Sequence, residues 1–356
     1  MPNKDEIMQA LNQVEDPELR RPLTELDMIK DIQIEGGTVK VVVSLTIPEC
    51  PMKGRIKEDI TRVVGQLDGV KKVDVELGVM SEEQRRNLTV KLYGADHKKA
   101  ADKGEGITAG DFAERVIAIA SGKGGVGKST VTANLAVALS RLGYKVGVLD
   151  ADVYGFSIPR ILGVDGTPTT IDDNIIPLRK DNIQVMSMGF FINEDQPVIW
   201  RGPLLHKAIN QFISDTLWDK LDFFLIDLPP GTGDVTITIS QALPKAELLV
   251  ITTPQPVASF TAGRVGRMAE KTNLKVLGVI ENMSYYEVNG TRDYIFGKDG
   301  GKNLANTLGV SLIGEIPIRT EIRASADIGD PIALHENSDI AEQYIAIARK
   351  IAEKKP

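Results

Sequence analysis

Nine consecutive residues, Gly122-Lys123-Gly124-Gly125-Val126-Gly127-Lys128-Ser129-Thr130, have the types and spacing needed to hold the phosphates of a nucleotide. In the pattern G-x-x-x-x-G-K-[ST], glycines let backbone N–H groups close around phosphate oxygens, and a following helix adds the positive end of its dipole. Lys128 is placed to reach the β- and γ-phosphates, and Ser129 to ligate Mg²⁺. Lys123 is a second lysine in the loop, which the general pattern does not demand. Two further segments supply acids: Asp150-Ala151-Asp152 after Val146–Leu149, and Asp227 at the end of Phe223-Phe224-Leu225-Ile226. Phosphoryl transfer needs chiefly positioning and charge stabilisation, so Asp227 suits support of Mg²⁺ and one of the first pair suits holding a water. Leu228-Pro229-Pro230-Gly231-Thr232-Gly233-Asp234 then reads as a switch loop ordered by the γ-phosphate. ATP is expected rather than GTP, because no [NT]-K-x-D follows Leu248–Thr252 or Val276–Ile280. Asp219-Lys220-Leu221-Asp222 imitates that signature but precedes the strand bearing Asp227.

These residues need a sheet to position them. Val116–Ala120, Lys145–Leu149, Phe223–Ile226, Leu248–Thr252 and Val276–Ile280 read as strands, alternating with helical patterns at Val131–Leu142, Leu204–Leu217, Ser259–Thr272 and Lys302–Leu308. That alternation predicts an α/β fold: a mostly parallel sheet with helices on both faces and ligands at the carboxyl ends of its strands. Ahead of it, residues 1–94 read as a small α/β domain. Its elements are a helix at Lys4–Val14, extended segments Met28–Ile34 and Thr38–Ile47 joined by Gly36-Gly37, a helix Met52–Leu67 and a strand Lys72–Leu77. The charged, glycine-containing stretch within 95–113 has the composition of a linker, leaving 114–356 as the nucleotide-binding domain.

Composition narrows the function classes. The chain has 356 residues, is 42% hydrophobic and carries a net charge of −7, which counts against nucleic acid as the main partner while leaving room for a local basic patch. Its apolar runs are far shorter than the ~20 residues that span a bilayer, and Met1–Glu6 has no apolar signal region, so the expectation is a cytoplasmic protein. With one cysteine, Cys50, no intrachain disulfide or Cys₄ site can form.

Taken together, Ser121–Thr130, Asp150-Ala151-Asp152-Val153-Tyr154-Gly155, Trp200-Arg201-Gly202-Pro203, Asp227–Asp234 and Glu281-Asn282-Met283-Ser284 resemble the Mrp/ApbC family. These are P-loop ATPases and iron–sulfur cluster carriers of the deviant Walker A class that also holds MinD and the nitrogenase iron protein. The resemblance spans residues 115–335 and implies MgATP as ligand, slow hydrolysis, and ATP as a clamp in a homodimer whose Lys123 crosses to the other subunit's nucleotide. By the same resemblance Lys128 is the phosphate lysine, Ser129 the Mg²⁺ ligand, Asp152 the water-orienting acid and Asp227 the acid behind Mg²⁺. Asn282 matches the position that contacts adenine.

The N-terminal part is similar to a domain found alone in iron–sulfur assembly factors, through Asp16-Pro17-Glu18-Leu19 and Thr46-Ile47-Pro48-Glu49-Cys50-Pro51-Met52. Cys50 precedes a predicted helix, a place where thiols become acidic and reactive; a half-buried structural cysteine is the other reading. The chain departs from cluster-carrying members in one respect. Where those have Cys-x-x-Cys after Asn-Met-Ser, it reads Tyr285-Tyr286-Glu287-Val288-Asn289 onward without cysteine. Either a cluster is held transiently with outside ligands, Cys50 among the thiolates, or this branch has another role. The expected function is therefore an ATP-gated homodimeric carrier serving apo iron–sulfur clients or assembly proteins. The alternative is an ATP-dependent regulator that binds DNA or a protein partner without a cluster. Membrane cycling would need Ile340–Ile351 to lie in lipid, and its mixed charges and lack of an aromatic face beyond Tyr344 set that reading aside.

Overall fold

Uninterrupted apolar runs form the middle of a large sheet in the computed structural model, which describes residues 1–46, 52–93, 112–171, 174–191, 202–231 and 233–354. Contacts divide the chain into two compact units, Met1–Glu105 with Thr169–Ile176, and Gly106–Pro168 with Pro177–Pro356. The segment Thr169–Ile176, which the sequence places with the nucleotide-binding domain, clusters with the first unit, where the Thr169 hydroxyl donates to Glu18 Oε1 at 3.0 Å. Most of the expected linker lies outside the described residues.

The first unit holds α1 (Lys4–Leu11), β1 (Ile29–Glu35), β2 (Thr38–Leu45), α2 (Lys53–Gly65), β3 (Lys72–Val79) and α3 (Glu82–Tyr93). β1 and β2 pair antiparallel through the Gly36-Gly37 turn, whose φ values of 54° and 92° suit glycine, and β3 joins β2 in parallel. Alternating Val39, Val41 and Val43 on β2 are fully buried, as are Ile56, Ile60 and Val64 on α2.

The second unit begins with β4 (Ala113–Ser121), α4 (Lys128–Arg141), β5 (Val146–Asp150) and α5 (Ile158–Leu162). After the short strands β6 (Thr170–Ile171) and β7 (Asn174–Ile175) of the other unit come β8 (Leu178–Lys180), β9 (Ile183–Ser187), α6 (Gly202–Ser214), β10 (Leu221–Asp227) and α7 (Asp234–Ala242). The chain ends with β11 (Glu247–Thr252), α8 (Pro256–Lys271), β12 (Lys275–Val288), β13 (Thr291–Asp293), α9 (Gly300–Thr307), β14 (Leu312–Ile318), α10 (Thr320–Asp327) and α11 (Asp339–Glu353). Nine strands run in the order β13-β12-β11-β4-β10-β5-β9-β8, with β14 also on β12. All pairings are parallel except β8 with β9 and β12 with β13. Every residue of β5 and β11 is buried, as a parallel sheet covered on both faces requires.

Several elements differ from their predicted extents for local reasons. β12 runs on to Val288, because Tyr286–Val288 pair with β13. α8 starts at Pro256, a residue suited to the first helical turn. α9 starts at Gly300, where a Cβ would strike Pro254, so two glycines that resemble a loop open a helix.

One buried ion pair ties the ends of this unit together. Arg115 donates to Glu247 Oε2 from Nε (3.0 Å) and Nη2 (2.6 Å), and from Nη1 to the Ile351 carbonyl (2.6 Å). Glu247 is 4% exposed, and among the described residues its other oxygen has Lys275 Nζ at 3.9 Å and no hydrogen-bond donor. Arg115→Ala strands this carboxylate and should lower unfolding stability by about 3 kcal/mol. Urea titration should show the lower midpoint with an unchanged slope.

Candidate functional site

The carboxyl ends of β4, β5, β10 and β11 meet the middle of β12 along one edge of the sheet, which brings Ser121, Asp150, Asp227, Thr252 and Glu281-Asn282 into one neighbourhood. The loop after β4 turns into α4 through Gly125 and Gly127, both at φ 79°. Gly127 also has no room for a side chain, since a Cβ would strike Asn282 Nδ2. That amide donates to the Val126 carbonyl at 2.8 Å and ties β12 to the loop.

Asp227 organises the centre. Fully buried, it accepts hydrogen bonds at Oδ2 from Lys128 Nζ (2.7 Å) and Ser129 Oγ (2.6 Å), and at Oδ1 from Thr132 Oγ1 (2.8 Å). A carboxylate held by a lysine and two hydroxyls has its negative charge fixed behind the loop hydroxyl, a hard oxygen set that fits Mg²⁺ at Ser129. Asp227 is also in register with Asp150 on the neighbouring strand.

Asp150 has a different part from Asp152. Its buried carboxylate accepts backbone N–H groups from Asp152 (3.2 Å), Ser157 (2.9 Å) and Ile158 (3.0 Å), so it pins the whole turn after β5. Burial, with the nearby Asp227 charge, pushes its pKa up to about 7. Asp152 is half-buried, accepts from the Gly155 N–H at 3.1 Å, and faces the phosphate cavity. Burial raises its pKa above the usual aspartate range, while the Lys128 charge opposes the shift.

Two cavities adjoin the loop. One of about 320 Å³ is lined by Ser121, Lys123–Thr130, Asp152 and Pro230 among others. The second, of about 730 Å³, opens beside Gly127, Thr130 and Asn282 and is walled by Met283, Phe296, Pro317 and Ile322. Phosphates suit the first and a nucleoside suits the second. Lys123 sits at the first cavity, with its Nζ donating to Gln255 Oε1 at 2.9 Å.

The structure therefore brings together the loop residues Gly122–Thr130, Asp152, Asp227 and Asn282, all of which the sequence singles out. Cys50 and Thr232 lie outside the described residues. Sequence reasoning does not reach the bond from Thr132 to Asp227, the anchoring bonds of Asp150, or the second cavity. The Asp-Ala-Asp segment is a signal for Asp150, whereas Thr132 has no motif of its own. The Asp219–Asp222 decoy is structural: Asp219 pairs with Arg179 at 2.6 Å, and Asp222 accepts from the Lys145 N–H.

Known proteins are similar to this chain along nearly its whole length. The profile of the NUBPL iron-transfer P-loop NTPases matches residues 113–352, and that of an iron-sulfur cluster assembly protein domain matches residues 4–77. An iron-sulfur cluster carrier protein of Mycobacterium leprae is 44% identical over 354 residues, covering 97% of this chain and 91% of the relative. One from Bacillus subtilis is 41% identical over 358 residues, covering 99% of each. Among solved structures, a nucleotide-binding protein from Archaeoglobus fulgidus in complex with ADP is 35% identical. It covers 70% of this chain and 96% of its own, with a TM-score of 0.57. The cell-division ATPase MinD of Pyrococcus furiosus is 28% identical over 67% of this chain and 98% of its own, with a TM-score of 0.52.

Proposed function

Because this chain belongs to the NUBPL iron-transfer P-loop NTPase family, we propose that it is an ATP-gated carrier of iron–sulfur clusters, with the cluster as cargo. The observation that carries this reading is the union of the two matched regions in one chain with a complete phosphate site, in which Lys128 and Ser129 converge on buried Asp227. No helix among the described residues is long and apolar enough to cross a membrane. The nucleoside of ATP occupies the larger cavity beside Asn282, and its phosphates occupy the loop.

Hydrolysis proceeds by in-line attack of water on the γ-phosphate. Asp152 holds and orients that water, at a turn fixed by Asp150, and Lys128 offsets charge developing on the transferred group. Ser129 would hold Mg²⁺ with Asp227 behind it; when bound, the ion adds neutralisation of phosphate charge. Lys123 acts across a homodimer interface on the other subunit's nucleotide, so that ATP binding and dimerisation are one event. Turnover is slow, because a clamp that opens on hydrolysis must persist long enough for cargo to pass. The clients are apo iron–sulfur proteins or assembly proteins, and the setting is the cytoplasm.

Where the resemblance to cluster-carrying members implies a cysteine pair, this chain has a hairpin, with Arg292 stacked 4.1 Å over the Tyr285 ring. Cys50 is therefore the one thiolate each subunit supplies, and the cargo needs ligands from outside the chain. Anaerobic reconstitution with iron and sulfide should give a cluster absorbance band and stoichiometric acid-labile sulfide, both lost in Cys50→Ser. Wild-type protein that takes up no iron or sulfide would remove the carrier role. It would leave the alternative, an ATP-dependent regulator, which a gel shift with and without ATP would test.

A further inference from the structure

The contact made by Lys123 is the feature that the catalytic reading does not use. This lysine must be extended toward another subunit to act as proposed, yet its ammonium is bound within its own chain, to Gln255 Oε1 at 2.9 Å. Its backbone is held as well, since its carbonyl accepts from Ser121 Oγ at 3.1 Å. The residue that receives the ammonium is positioned independently. Gln255 caps α8, and its own carbonyl accepts from the Ala258 and Ser259 N–H groups at 2.9 and 3.1 Å. Loop and helix pack closely, since a Cβ on Gly122 would strike Thr261 and Ala262 of α8. That packing holds the Lys123 and Gln255 backbones near one another, so rotation of the two side chains is the simplest way for the contact to part.

We propose that Gln255 is an intrasubunit latch that parks Lys123 and sets how readily two subunits close around ATP. The proposal rests on the reading that Lys123 acts in trans. A lysine bound to its own Gln255 is not available to a second subunit, so the apparent dimer dissociation constant equals the intrinsic one divided by the square of the unlatched fraction, one factor for each subunit. The chemistry of the acceptor suits a releasable latch. A neutral amide oxygen binds an ammonium more weakly than a carboxylate does, so phosphate oxygens bearing full charge outcompete it. The same helix turn presents Val257 and Phe260 to solvent at 67% and 62% exposure, so the acceptor stands on an outward-facing surface, where an approaching subunit can reach it.

The test is sedimentation velocity across a protein concentration series with Mg²⁺ and a non-hydrolysable ATP analogue. It compares wild type, Gln255→Ala, Gln255→Glu, Lys123→Ala and the double variant Gln255→Ala/Lys123→Ala. Gln255→Ala should lower the concentration at half-dimerisation by roughly threefold to tenfold, and Gln255→Glu should raise it by a similar factor. Lys123→Ala should abolish dimerisation with or without the Gln255 change, and Gln255→Ala alone should tighten dimerisation with an unchanged urea unfolding midpoint, which a merely structural role for Gln255 would not produce. Dimerisation that depends on Lys123 but is unchanged or weakened in Gln255→Ala would overturn the latch and leave the trans lysine standing. A wild type that stays monomeric with the analogue would overturn both.

Discussion

Asp152→Ala is expected to lower ATP turnover by about a thousandfold while nucleotide affinity stays within a few-fold of wild type. That size is what a positioned group contributes when it orients or deprotonates an attacking water, about 10²–10⁴. On the proposed reading the phosphates rest on the loop N–H groups and Lys128, so binding should be spared, and the Asp152 carboxylate is engaged with the Gly155 N–H. The pH dependence has a definite sign. The working form is the ionised carboxylate, and burial raises its pKa, so turnover should fall with decreasing pH at a value above that of an ordinary aspartate. Steady-state hydrolysis from pH 5 to 9, alongside calorimetric titration with ADP, measures both parts. Turnover within tenfold of wild type would remove Asp152 from the water-orienting role.

Lys128→Ala should cost affinity first and stability second. The Lys128 side chain is 6% exposed, and its ammonium is 2.7 Å from Asp227, which is fully buried. Without it, the Asp227 carboxylate keeps only Ser129 and Thr132 as donors, and the loop loses its cation for the β- and γ-phosphates. ATP affinity should fall by at least a hundredfold, and the nucleotide-free protein should lose about 3 kcal/mol, the usual cost of an uncompensated buried charge. The double variant Lys128→Ala/Asp227→Asn separates the two effects. It should recover most of the stability and none of the binding. Recovery of binding would mean that Lys128 serves only to neutralise Asp227.

How much of the fold and site is legible in the sequence depends on how local each feature is. The phosphate loop can be read because its geometry is contained in nine residues between a strand and a helix, and Gly125 and Gly127 take the positive φ that glycine allows. Asp227 can be read because it directly follows the apolar run Phe223–Ile226 of its strand. The larger cavity cannot, since its walls come from Asn282–Met283, Phe296 and Pro317–Ile322, segments with no shared period. The Lys123–Gln255 contact joins residues 132 positions apart and has no local signature. The helix α3 is hidden because Leu88 is its one buried apolar side chain among the described residues, so no helical stripe marks it. The glycines opening α9 mislead for the opposite reason: close packing against Pro254 and Glu281, rather than chain flexibility, demands them.

If MgATP at this loop closes two copies of the chain through Lys123, molecular mass in solution reports it most directly. Light scattering on the eluted protein should give twice the 38.7 kDa chain mass with ATP in Asp152→Ala, and the single-chain mass with ADP. Adding Lys123→Ala to that variant should restore the single-chain mass at the same ATP occupancy. A mass that is the same with ATP and ADP, or a dimer that persists without Lys123, would contradict the clamp.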